Sequence, residues 1–97
     1  MEFLDYRMHD GSRLFAEIPE DFELWDQLRD HLKILEGVSI TQFLTDNVTE
    51  VWIDFDFRGH KFTVNNQFGE YWFCVADPSC DDEILEAVIV HARKSIG

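Results

Sequence analysis

The chain is short of cysteine, short of positive charge and without a long apolar run. Its two cysteines, Cys74 and Cys80, are too few for a disulfide scaffold, and both are expected as free thiols. Lys and Arg total 8 against 20 Asp and Glu, a formal net charge of −12. So few cations cannot displace the counterions of a phosphate backbone, so DNA or RNA binding is disfavoured, as is adhesion to anionic lipid; a basic protein partner would be attracted. No apolar run approaches the roughly 18 residues needed to cross a bilayer. The start, MEFLDYRMHDG, lacks the basic-then-apolar pattern of a secretion signal, which sets the expectation of a cytoplasmic protein. In that setting the Asn47-Val48-Thr49 sequon would carry no glycan.

The familiar signatures of catalysis are missing too. There is no GxSxG, no phosphate-binding glycine loop, no repeat and no low-complexity tract. His9, His31, His60 and His91 are scattered rather than paired at helical spacing, and the two cysteines lack zinc-ribbon spacing. Cys80 stands near an expected helix start, which lowers a thiol pKa, but Asp81, Asp82 and Glu83 beside it push the other way. No cofactor and no metal ion are expected, and a noncatalytic role is favoured.

What is present is organised pattern in 97 residues, enough for one domain with a single two-layer core at 45% apolar content. Asp10-Gly11 between two strand-like runs predicts an N-terminal hairpin. Pro19 suits a first helical turn, and Phe22, Trp25, Leu28, Leu32 and Leu35 then recur at helical spacing up to Gly37. From Val38 the period becomes two, through SITQFL and VTEVWIDFDF, with a break at Thr45-Asp46-Asn47. A Gly59-His60 turn would set Phe57 opposite Phe62, Phe55 opposite Val64 and Ile53 opposite Asn66. A turn at Phe68-Gly69 would set Val64 opposite Phe73 and Phe62 opposite Val75. Ser79, three residues before Asp82, suggests a cap for a last helix whose stripe is Ile84, Leu85, Val88, Ile89, Ala92 and Ile96. The predicted architecture is α+β: a two-layer sandwich, hairpin, helix, three or four strands and helix, with both helices on one face of an antiparallel sheet.

The same register sends Trp52, Asp54, Asp56, Arg58, Lys61, Thr63, Asn65, Gln67, Glu70, Trp72 and Cys74 to the other face. Two tryptophans there, ringed by acids, have the composition of an interface anchor. The competing expectation is that the N-terminal hairpin folds across this face and seals both indoles. Asp54-x-Asp56 has the spacing to hold a hard cation or share a proton, but a solvated strand face accounts for it better. The candidate partner-binding residues are therefore Trp52, Asp54, Asp56, Glu70 and Trp72, with Glu20, Asp21 and Glu23 at the first helix start as a second set. The alternatives are a small-ligand or metal module floored by the aromatic face, and an enzyme assembled from Asp54, Asp56, His60 and Cys74. A homodimer through the open face or a strand edge is also compatible with the pattern.

The stretches WIDFDFRGHKF, NNQFGEYWF and DPSC resemble a set of short bacterial proteins of unassigned activity that share this aromatic and glycine framework over about the second half of the chain. In charge and size the chain is also similar to small acidic immunity proteins that neutralise bacterial toxins. That resemblance implies a role, the blocking of a basic nuclease-type toxin, but no residue-by-residue correspondence. An acidic inhibitor of this kind gains association rate by electrostatic steering and occludes a positive cleft.

Overall fold

The computed structural model describes residues 2–19, 25–45, 50–66 and 69–94. Six strands, β1 (Tyr6–Arg7), β2 (Arg13–Pro19), β3 (Ser39–Thr45), β4 (Val51–Phe57), β5 (His60–Asn65) and β6 (Glu70–Val75), form one antiparallel sheet in the order β1-β2-β6-β5-β4-β3. Two helices, α1 (Trp25–Lys33) and α2 (Asp82–Lys94), cover one face. Strand β4 alternates strictly between buried and half-buried residues, the mark of a sheet with one covered face. Ile53, Phe55, Phe62, Val64, Phe73 and Val75 pack there against Leu28, Leu32, Leu85, Val88 and Ile89.

The hairpin lies beside the sheet rather than across it. Strand β2 pairs with β6, with a bulge between Leu14 and Ala16, so the N-terminal strands extend the sheet at that edge. Pro19 closes β2 instead of opening a helix; Phe22, Ile96, Gln67, Phe68 and the Asp46–Asn47 break lie outside the described residues. A proline is tolerated at a strand end as readily as at a helix start, and pairing with Glu70 decides the matter here.

The β4–β5 turn is Arg58-Gly59, with φ of 50° and 79°, rather than Gly59-His60. Two positive φ values are what a right-twisted hairpin prefers in a two-residue loop. The resulting register sets Phe55 opposite Phe62 and Ile53 opposite Val64, two residues from the expected pairing. An even slip leaves every side chain on its expected face. It also stacks Phe55 on Phe62 at 5.2 Å and 8°, and lets Thr63 reach Asp54. The β5–β6 register is as expected, with Val64 opposite Phe73 and Phe62 opposite Val75.

Ser79 does not cap α2. Its amide and hydroxyl both donate to Asp77 Oδ1, at 2.9 and 2.7 Å, while the Asp81 carbonyl accepts from the Ile84 and Leu85 amides at 3.0 and 3.2 Å. An Asx-type turn competes with capping for the same hydroxyl, and here it wins. Asp10 and Ser12 repeat the arrangement at 3.0 and 2.6 Å in the first hairpin.

Two histidines that are 60 residues apart join the helices. The His31 and His91 rings stack at 4.1 Å and 8°, and each Nε2 bonds the other's backbone carbonyl, at 2.6 and 2.7 Å. The nine described residues of α1 make few helical turns, and such tertiary ties help to hold them. Replacing either His31 or His91 with Ala is expected to cost about 1–2 kcal/mol, for a lost hydrogen bond and stack. The double variant should cost less than the sum, measured as a coupling energy from urea melts.

Candidate functional site

The uncovered face is built from cross-strand rows. One runs Leu44, Trp52, Asn65, Trp72, Glu17 across β3, β4, β5, β6 and β2; the next runs Gln42, Asp54, Thr63, Cys74, Leu14. Five expected residues, Trp52, Asp54, Asp56, Glu70 and Trp72, thus come together on one surface and are half-buried. Glu20, Asp21 and Glu23 lie outside the described residues. Both indoles are neither sealed nor fully open.

Asp54 organises the centre. Its Oδ1 accepts the Trp52 indole N–H at 2.8 Å and the Thr63 hydroxyl at 2.8 Å. The carboxylate therefore fixes one aromatic ring along its own strand. Asp56 sits opposite Lys61 and Ser39. Glu70 lies opposite Pro19, two residues along β2 from Glu17, and its proximity raises the Glu17 carboxyl. Among the described residues the ion pairs are Arg7–Asp5, Arg13–Asp5 and Arg29–Asp30, so none engages Glu17, Asp54, Asp56 or Glu70. Also among the described residues, no group of three or more His, Cys, Asp and Glu is placed to hold a metal ion.

Of the enzyme candidates, Asp54, Asp56 and Cys74 share a face and His60 stands apart from them. His60 has the strand parity of Phe62 and Val64, on the face opposite Asp54 and Cys74. Burial first, and then the charge of Asp10, push the Cys74 thiol up to about 11. Burial, and then Asp77 and Asp81, also raise Cys80. Neither is a ready thiolate near neutral pH.

The first hairpin shapes the rest of the face. Its turn at Met8–Ser12 is held by Met8 N–H donating to the Ser12 carbonyl (2.8 Å) and Gly11 N–H donating to that of Met8 (3.0 Å). Arg13 Nε, bonded to the Leu4 carbonyl at 2.9 Å, braces its base. The turn forms a rim over the sheet and bounds two clefts. One, of about 330 Å³, has Trp52, Thr63, Asn65, Cys74, Ala76 and Lys61 as floor and wall, and Met8, His9, Asp10 and Ser12 as rim. The second, of about 460 Å³, lies between Tyr6, Leu14, Glu17 and Trp72. Asp10-Gly11 marked the turn in the sequence, but no local signal marked that Met8 and His9 would stand over Trp52.

The carboxylates shift in opposite directions. Hydrogen bonds from Ser12 and Ser79 hold Asp10 and Asp77 below the ordinary carboxylate range, while the bond to Glu70, desolvation and the Glu70 charge raise Glu17. Asp10 and Asp77 therefore contribute stability that is present above the ordinary Asp value and lost as pH falls through their lowered native values. Glu17 contributes stability that is complete below the ordinary Glu value and lost as pH rises through its raised one. A carboxyl-detected NMR titration should show this split. Ser12→Ala should move Asp10 upward, and Glu70→Ala should move Glu17 downward.

Comparison with protein-family models, curated proteins and solved structures finds no match to this chain. No helix of the described residues is long and apolar enough to cross a membrane.

Proposed function

We propose that the chain is a noncatalytic acidic binding domain that docks a basic protein on its uncovered sheet face, most concretely as an inhibitor of a basic nuclease-type toxin. The observation that carries this reading is the pairing of two half-buried tryptophans with carboxylates that no cation of the described residues neutralises. Aromatic anchors at the centre of a patch supply most of the energy of typical interfaces. Unneutralised acids around them supply steering toward a positive surface, reinforced by a net charge of −12. Against a nuclease, those acids would stand where substrate phosphates bind.

Immunity proteins are usually encoded beside the toxin they block, so the probe is the basic protein encoded next to this chain. Calorimetric titration should give one-to-one binding that weakens as salt rises from 50 to 500 mM. Trp52→Ala and Trp72→Ala should each weaken it by about thirtyfold or more, the size of a hot-spot loss. Absence of binding at low salt, or an affinity indifferent to salt and to both tryptophans, would overturn the reading.

A further inference from the structure

The smaller cleft points to a second kind of ligand, and its chemistry follows from which donors are already used. The Trp52 N–H is committed to Asp54, the Thr63 hydroxyl proton to the same oxygen and the Ser12 hydroxyl proton to Asp10. What Trp52 can offer a guest is ring surface, not a hydrogen bond. Cys74 is 6% exposed, and a thiol held protonated adds an uncharged floor. Met8 also lines the cleft and brings a polarisable thioether, a group that suits aromatic faces. Lys61 brings three N–H donors to the lining.

We infer that the cleft between the Met8–Ser12 turn and Trp52 binds a flat, uncharged heteroaromatic molecule of about purine size. The volume of about 330 Å³ lies at the small end of ligand sites, which run from roughly 300 to 1,000 Å³. Ring nitrogens or a carbonyl on the guest would accept from Lys61, while its face lies against the indole. An anion is disfavoured because Asp10 is held ionised at the rim and Asp54 stands beside Trp52. For a cation, the pull of the same two acids is opposed by the Lys61 ammonium in the lining. The rim is braced by backbone hydrogen bonds and by Arg13, so the cleft exists before any guest arrives. The cleft shares Trp52 with the proposed docking face, but its test needs the chain alone, so it can fail separately from protein docking.

The test is a titration with purine, read on the indole N–H signals of the three tryptophans, with benzoate and tetramethylammonium as charged arms. Purine should shift the Trp52 signal most and saturably. Trp52→Leu, followed instead on the backbone amide signals of Thr63, Cys74 and Ala76, should weaken binding by about tenfold, the scale of losing one base-stacking platform. If that variant does not fold, Ala76→Phe decides instead, because Ala76 is exposed and lines the cleft, so a larger side chain there should fill it and abolish the shift. Failure of purine to saturate, persistence of binding in Ala76→Phe, or tighter binding of either charged probe would overturn the inference.

Discussion

Phe62→Ala is expected to lower the unfolding free energy by about 3–5 kcal/mol, the usual cost of emptying a buried phenylalanine site. Phe62 is 2% exposed and stands among Phe55, Phe15 and Phe57, with ring centroids at 5.2, 5.9 and 6.4 Å. Strand neighbours cannot collapse into the hole without breaking the β4–β5 ladder. Domains of this size hold roughly 5–15 kcal/mol in all, so the variant would keep only a fraction of its stability. A urea melt at constant slope checks it, with Phe62→Leu as the milder comparison because it leaves a smaller hole. A loss below about 1 kcal/mol for the alanine would mean that these four rings do not form the centre of the core.

The second large effect is polar. Asn66 is 4% exposed, and its Oδ1 accepts the buried Val51 N–H at 2.8 Å, tying the end of β5 to the start of β4. Asn66→Leu removes the acceptor and leaves that N–H buried without it, which is expected to cost about 1–3 kcal/mol. Hydrogen exchange at Val51 should accelerate more than at Phe55, in the middle of the same strand. Asn66→Asp keeps the acceptor but buries a charge, so its stability should recover as pH falls and the carboxyl is protonated. Equal exchange at Val51 in the wild type and the leucine variant would refute the role given to this bond.

The architecture was legible because strand alternation and helical spacing are properties of the local chain. Ile53, Phe55, Phe57, Phe62, Val64, Tyr71, Phe73 and Val75, which share one parity along their strands, form the buried sheet face. The opposite set carries Trp52, Asp54, Asp56, Glu70 and Trp72, as its parity required. Local signals misled where one residue type serves two purposes. Pro19 ends a strand although it also suits a helix start, and Ser79 serves Asp77 although it also suits a cap. The Arg58-Gly59 turn was missed because an arginine at φ 50° is unfavourable by itself, at roughly 1–2 kcal/mol, and is chosen only with the sheet register it permits.

What the sequence determined by itself was class and parity: an α+β sandwich with aromatic and acidic residues turned away from the helices. Each of these follows from a period of two or of about 3.6, which the backbone enforces without knowing its partners. Only the tertiary structure decided the two-residue shift between β4 and β5, the addition of the hairpin beside β6, the His31–His91 stack and the cleft under Met8. Those depend on segments tens of residues apart, and their placement is set by the sum of many competing contacts, which no local pattern encodes.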